Sequence, residues 1–153
     1  MPDMADVWTR ERRPRWLTVL VTLVLVLSGA AALVFVNRDR RLSEMSVIAA
    51  RVATGEQSPE ALTEIDRAAS PDVYYHVVLG HTPLGWPLQL RCEWQDPAGH
   101  MAFYNQYRTR FVYASMWPTH CRQHIQPTTR QGEWHVRLLL EDRVLSSSAF
   151  VVK

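Results

Sequence analysis

The residues whose spacing comes nearest to a chemical motif lie in WPTHCRQHI, residues 117–125, where two histidines flank a cysteine. Imidazole and thiolate groups serve as metal ligands, bases and nucleophiles. Pro118 and the surrounding two-residue periodicity favour a strand over a helix. On a strand, His120 and His124 share a face but lie roughly 13 Å apart. They are therefore not expected to chelate one ion, whose bonds are about 2 Å long.

No other motif supplies catalytic machinery. The sequence contains no Gly-rich phosphate loop, no G-x-S-x-G, no H-E-x-x-H and no C-x-x-C. The six histidines fall mainly on predicted solvent faces or in loops. Ser146, Ser147 and Ser148 lie inside a predicted strand, where small polar residues are typical of an edge. We predict a protein that is not an enzyme and that carries no cofactor or metal.

The two cysteines are interpreted instead as a disulfide. Cys92 faces inward in the alternating stretch LQLRCEWQ, and Cys121 shares the apolar face of its own strand with Ile125. Closing the loop between them stabilises a domain by roughly 3 to 4 kcal/mol in the chain-entropy model. Disulfides persist in oxidising compartments, so the domain is expected outside the cytoplasm. Two free buried cysteines are the alternative.

A transmembrane helix is predicted over residues 16–36, WLTVLVTLVLVLSGAAALVFV, which contain no charge. Twenty-one helical residues match the roughly 30 Å hydrocarbon core of a bilayer. A cleaved signal peptide is the alternative, because Ser28-Gly29-Ala30 resembles a cleavage site. The apolar run continues past that site through Val36, which favours an uncleaved anchor. The predicted membrane boundaries are marked by Arg13, Arg15, Trp16, Arg38, Arg40 and Arg41.

The charges flanking the span do not fix its orientation, because four arginines precede it and three follow it. The predicted disulfide indicates the orientation instead. Residues 1–15 are expected to form a cytoplasmic arm, and the C-terminal domain is expected in the periplasm, behind a bacterial inner-membrane anchor. The formal net charge of +2 leaves no excess of positive charge for nucleic acid. The lipid bilayer and other membrane protein subunits are the expected partners.

Residues 37–71 are predicted to be helical. The membrane helix is expected to run on to Thr54 and to stop at Gly55, and a second helix is expected from Pro59 to Ala69. Apolar residues on the first of these helices follow a three-four-three spacing. That stripe packs either on the second helix or on a partner protein. It consists of Leu42, Met45, Ala49 and Val52.

From Asp72 onward the apolar residues recur with a period of two, which predicts strands. The last 22 residues read as a hairpin: GEWHVRLLL, a short acidic turn, and a return strand closing on Phe150 and Val152. This pattern resembles the last two strands of small bacterial immunoglobulin-like or fibronectin-like sandwich domains carried behind a membrane anchor. The resemblance implies an all-β sandwich of six or seven strands over residues 72–153.

The predicted function is that of a single-pass accessory subunit that docks on a larger membrane complex, such as a photosynthetic, respiratory, secretion or division assembly. The alternative is a membrane-anchored binding module for a sugar or peptide of the cell envelope. Clustered aromatic residues motivate both hypotheses, since such clusters mark interfaces. Besides the apolar stripe, the predicted partner-binding residues are Trp86, Phe111, Tyr113, Met116 and Trp117.

Overall fold

A computed structural model describes residues 15–153 of the chain. The chain divides after Asp39 into an N-terminal unit and a second unit, Arg40–Lys153. The helix and strands are α1 Arg15–Ser43, β1 Ser46–Ala53, β2 Glu64–Ile65, β3 Asp72–Gly80, β4 Gln89–Gln95, β5 Met101–Arg108, β6 Trp117–His124, β7 Gly132–Leu140 and β8 Arg143–Val152.

The apolar stretch predicted to span a membrane is helical throughout. Every residue from Trp16 to Val36 is exposed, and the helix contains an 18-residue window of mean hydropathy 2.8. By length and composition it is sufficient to cross a bilayer. The helix continues through the following arginines and ends at Ser43. The predicted cytoplasmic arm, apart from the backbone of Arg15, lies outside the described residues.

The second unit is a two-sheet sandwich, which confirms the predicted fold class. One sheet has the strand order β1-β3-β6, and the other has the order β2-β8-β7-β4-β5. Every pair is antiparallel except β2 with β8. The alternating stretch LQLRCEWQ corresponds to β4, and the period of two that begins at Asp72 corresponds first to β3.

The prediction of a helical segment over residues 37–71 is wrong beyond Ser43. Residues Ser46–Ala53 form β1, which pairs with β3, so the sandwich begins well before Asp72. A β-bulge between Val47 and Ala49 shifts the side-chain parity. Val47 and Val52 therefore both pack against the core although they are five residues apart.

The second predicted helix, from Pro59 to Ala69, is also absent. The segment forms the short strand β2 and a single 3₁₀ turn at Arg67–Ala69. Ile65 is buried in the core, and its carbonyl accepts a hydrogen bond from the Lys153 N–H at 2.9 Å. Tertiary pairing with the end of β8 thus prevails over the local helix signals.

The core lies between the two sheets and is crossed by the predicted disulfide. Cys92 on β4 and Cys121 on β6 are bonded, with their Cα atoms 6.3 Å apart. Trp94 and Phe150 pack edge to face beside them, with ring centroids 6.1 Å apart. The two cysteines belong to different sheets, so the bond joins the two layers of the sandwich.

The predicted C-terminal hairpin is β7 and β8, with Glu141 at positive φ in its turn. The serines of β8 lie on the portion that β2 does not cover, as expected for an edge. Ser146 has a further role, because its hydroxyl lies 2.7 Å from the Tyr75 hydroxyl. Tyr75 is fully buried, so this bond satisfies the one polar group of a large core side chain.

Candidate functional site

One end of the sandwich, called here the entry end, is where the chain arrives from α1. The register pairs Ser46 with Gly80 and Leu79 with Trp117, so the start of β1, the end of β3 and the start of β6 meet there. The loops 81–88 and 109–116 adjoin these strand ends. The Ser46 hydroxyl lies 3.3 Å from the His81 ring.

Four large apolar side chains project from these two loops. Phe111 is 70% exposed and Tyr113 is 84% exposed, while Leu84 and Met116 are each more than half exposed. We call these four residues the aromatic loop surface. The two loops contain no acidic residue. No comparable side chain is exposed in the turns 96–100 and 125–131 at the opposite end.

The aromatic loop surface is held rigidly, because the two loops are bonded to each other. The Gly85 N–H donates to the Val112 carbonyl at 2.8 Å, and the Val112 N–H donates to the Trp86 carbonyl at 3.3 Å. The Thr82 hydroxyl donates to the Ala114 carbonyl at 2.6 Å. Val112 itself is buried in the core. Its neighbours Phe111 and Tyr113 are consequently directed outward, as alternation requires.

The structure therefore brings together the predicted aromatic residues, with two corrections. Trp86 is half-buried and is not an exposed loop tip. Trp117 is also half-buried, packs on the core, and contacts the Tyr113 ring edge to face at 5.0 Å. Trp117 thus supports the surface through its contact with Tyr113. Leu84 was not singled out by its sequence, since an isolated apolar loop residue carries no periodic signal.

The apolar stripe is not a partner-binding face, and this prediction is corrected. Leu42, Met45 and Val52 belong to the second unit and are buried in its core. The Arg143 guanidinium fixes this junction by donating to the carbonyls of Leu42 and Ser43. Of the stripe, only Ala49 is exposed. The alternative of packing on the chain's own residues is the one observed.

A second exposed apolar region lies on β5, the outer strand of its sheet. Met101 is 56% exposed and Tyr104 is 58% exposed, and Phe103 between them is also exposed. Phe103 lies on the inward parity opposite Trp94. Its exposure means that the first half of β5 extends beyond the cover of the other sheet. Nothing in the sequence indicates this overhang, which depends on how far the sheets overlap.

The second half of β5 is closed against β6 by side chains. The Tyr107 hydroxyl lies 2.6 Å from the Thr119 hydroxyl, and the Asn105 amide donates to the Arg122 carbonyl at 3.3 Å. Burial raises the pKa of Tyr107, and its bond to Thr119 opposes that shift. No strand pairs with the outer edge of β5 within residues 15–153.

Three of the six histidines, His76, His120 and His124, lie on the outer face of the smaller sheet. His135 lies on the larger sheet, and His81 and His100 lie between strands. His120 shares a ring cluster with Tyr74 and His76, with centroids 5.7 to 5.8 Å apart. His124 has separate partners, since its Nδ1 lies 3.1 Å from Asp72 Oδ1. In the described part of the chain no group of three or more metal-ligating side chains exists.

A shallow groove of about 240 Å³ lies on the same face. It is open to solvent, and its walls combine small apolar side chains with a few polar ones. The residues lining it include Ala49, Arg51, His76, Val78, Pro118 and Thr119.

The outer face of the larger sheet is charged. Glu93 is buried between two arginines: the Arg137 guanidinium donates to it at 2.7 Å, and Arg91 Nε lies 3.1 Å from its other oxygen. This face therefore has its charges paired and contrasts with the apolar overhang of β5.

The turn after β4 has Gly99 at positive φ. Burial tends to raise the pKa of Asp96, but the N–H groups of His100 and Ala98 and the charge of Arg130 outweigh it. The pKa of Asp96 is thereby lowered.

The predicted membrane-boundary residues are only partly described. Arg13 lies outside the described residues, and only the backbone of Arg15 is described. Trp16 is exposed at the start of α1. Arg40 forms an ion pair with Glu44 at 3.4 Å. The remaining two, Arg38 and Arg41, lie in the last turns of the helix, and their predicted location at a bilayer surface stays a prediction.

The sandwich is similar to a solved immunoglobulin-like protein from Pseudomonas aeruginosa, with a TM-score of 0.50 and 17% identity over 72% of this chain and 97% of that chain. The fold is immunoglobulin-like. At this identity the likeness describes the architecture alone. No family model and no curated protein matches the chain.

Two further solved structures contain a similar sandwich within larger proteins. One is an alkylpurine DNA glycosylase from Pseudomonas fluorescens bound to DNA with an abasic-site analogue, with a TM-score of 0.47 and 16% identity over 72% of this chain and 30% of that chain. The other is a glycosyl hydrolase family 2 member from Bacteroides cellulosilyticus, with a TM-score of 0.48 and 14% identity over 70% and 15% of the respective chains. Neither likeness bears on the activity of this chain.

Proposed function

We propose that this chain is a non-enzymatic, single-pass accessory subunit of a bacterial inner-membrane complex, with its immunoglobulin-like sandwich in the periplasm docked on another membrane protein. The uncleaved helix holds the sandwich at the membrane, and the disulfide suits an oxidising compartment. The observation that carries the docking proposal is the exposed apolar overhang of β5.

The overhang has the properties of a strand that receives a partner. An outer strand presents unpaired N–H and C=O groups, which a strand of another protein can extend. Exposed edges in soluble proteins are ordinarily protected by Lys, Pro or a bulge. The strand β5, MAFYNQYR, contains neither Lys nor Pro, and its first four residues are exposed. Its register with β4 shifts between Met101 and Phe103, but from Phe103 onward the pairing is regular, which leaves that part of the edge in a form that a partner strand can extend. Met101 and Tyr104 pair with Gln95 and Glu93, so both lie on the outer face of the sheet and supply side-chain contacts on that face of the new strand.

The proposal predicts which substitutions release the subunit. A charge at the overhang leaves a cation against an apolar partner surface, so Met101→Arg and Tyr104→Arg should each weaken co-purification at least about tenfold, the equivalent of a contact worth about 1.4 kcal/mol. Ile48→Arg is the matched control, because Ile48 is 54% exposed on β1, the outer strand of the other sheet. It should leave co-purification unchanged.

The measurement is quantitative mass spectrometry of proteins retained by the tagged full-length chain after mild detergent extraction from native membranes. Equal loss of the same partners in all three variants, or no loss in any, would count against docking through β5. Loss confined to the two β5 variants would support it.

The binding-module alternative has one observation in its favour, the groove on the outer face of the smaller sheet. It offers Arg51 and His76 as polar contacts and Pro118 as an apolar one. A thermal shift with an envelope glycan or peptide that His76→Ala abolishes would support this reading. Trp86, one of the predicted partner-binding residues, is half-buried and does not line this groove.

A further inference from the structure

We expect the aromatic loop surface to bind something other than the partner that binds the β5 overhang. It lies at the entry end, whereas Met101 and Phe103 begin β5 beside the turn 96–100 at the opposite end. A single flat partner interface does not include both regions. Leu84, Phe111, Tyr113 and Met116 face the side of the sandwich from which the chain continues into α1.

Few residues separate the apolar stretch of α1 from the strands of the sandwich. Only residues 37–43 separate Val36 from the end of the helix. In a helix they rise about 10 Å, and this limit holds for any orientation of the two units. The headgroup layer of a bilayer is roughly 5 to 8 Å thick on each side. The entry end is therefore the end of the sandwich that the chain connects most directly to the apolar stretch.

The composition of the two loops matches a lipid interface. Tyrosine and phenylalanine bury their rings at the boundary between headgroups and acyl chains, and arginines beside them bind lipid phosphates. Arg108 and Arg110 are exposed next to Phe111, and the two loops contribute no carboxylate. Two acidic groups elsewhere at this end form ion pairs: Glu44 pairs with Arg40, and Asp142 pairs with Arg91.

We infer that the aromatic loop surface inserts into the outer lipid leaflet of the membrane that anchors α1, roughly 5 to 10 Å deep. Two points of attachment, the helix and the loops, then fix the tilt of the sandwich on the membrane. The β5 overhang is presented at a defined height and direction to a membrane-embedded partner. This inference rests on the proposed membrane anchor and is independent of which protein docks.

The test places a nitroxide label at one position at a time on the full-length protein in nanodiscs of bacterial phospholipids. The native cysteines are bonded and buried, so an introduced cysteine is the reactive one. The test positions are Phe111→Cys and Tyr113→Cys. Val26→Cys, in the middle of the apolar stretch, is the reference for lipid, and Gln131→Cys, at the opposite end of the sandwich, is the reference for water.

Electron paramagnetic resonance compares the collisions of each label with oxygen, which concentrates in lipid, and with a water-soluble nickel chelate. The inference predicts that the labels at Phe111 and Tyr113 resemble the lipid reference, with a depth of roughly 5 to 10 Å. Strong nickel collisions at both positions, with Val26 still in lipid, would overturn it and leave the anchor intact. Weak collisions with both reagents would also overturn it, since the surface would then be covered by protein. Nickel collisions at Val26 would overturn the anchor and this inference together.

Discussion

The disulfide between Cys92 and Cys121 should supply a large part of the stability of the sandwich. The bond closes a sequence separation of 29 residues. In the chain-entropy model this restriction of the unfolded chain stabilises the folded state by about 3.6 kcal/mol at 25 °C. Domains of this size have total stabilities of roughly 5 to 15 kcal/mol. Loss of the bond is therefore a severe perturbation even though the folded contacts remain nearly the same.

Substitution by alanine separates the effect of the cross-link from that of packing. Both sulfurs are buried, so each Cys→Ala change also removes packed atoms worth about 1 kcal/mol. Either single variant breaks the same bond, so the free energy of unfolding of each should be lower than that of the wild type by about 4 to 5 kcal/mol. The double variant breaks the same single bond but removes both packed sulfurs. Its free energy of unfolding should therefore fall by about 5 to 6 kcal/mol, well short of the sum of the two single decreases.

Urea titration of the full-length protein in nanodiscs, followed by tryptophan fluorescence, measures these free energies of unfolding. Gln131→Ala is the control for an exposed position and should leave the free energy unchanged within about 0.5 kcal/mol. Losses below about 1 kcal/mol in the single variants, or a double-variant loss equal to their sum, would refute the reasoning.

Three further variants test individual parts of the sandwich. Tyr75→Phe should lower the free energy of unfolding by about 1 kcal/mol, because it leaves the Ser146 hydroxyl without its partner, and urea titration measures this loss. Glu93→Ala should cost about 2 kcal/mol in the same assay, since two arginines then face each other without their shared carboxylate. Because the pKa of Asp96 is lowered in the folded chain, its contribution is present above the ordinary pKa of an aspartate and is lost as the pH falls through the folded value. Asp96→Asn should therefore reduce the loss of thermal stability on acidification, and a variant as acid-sensitive as the wild type would contradict this assignment.

Regular alternation made most of the sandwich predictable. The strands β3, β4 and β7 each bury alternate residues with little interruption, and Cys92 and Cys121 were assigned inward by the same parity. The apolar length of α1 needed no tertiary information, because a bilayer-length helix is recognised by composition alone.

The errors arose where tertiary contacts decide the local structure. The bulge after Val47 breaks the alternation of β1. Leu42 lies in α1, Met45 lies between α1 and β1, and Val52 lies in β1, so their helical spacing joins residues of different elements. The strand β2 has only two residues, Glu64–Ile65, which is too short for any period to be read.

The interaction surfaces were predicted only in part, because exposure depends on the arrangement of neighbouring elements. Phe111 and Tyr113 were identified as aromatic residues, but their projection from the sandwich follows from the burial of Val112 between them. The overhang of Phe103 depends on how far one sheet extends beyond the other, which no local pattern encodes.

The measurement that tests the central claim most directly is native mass spectrometry of the full-length chain, purified in mild detergent or nanodiscs from its native membrane. The accessory-subunit proposal predicts a stoichiometric complex with at least one integral membrane protein, identified by the masses released on activation. Recovery of the chain only as a free monomer, with α1 retained and the disulfide intact, would contradict it.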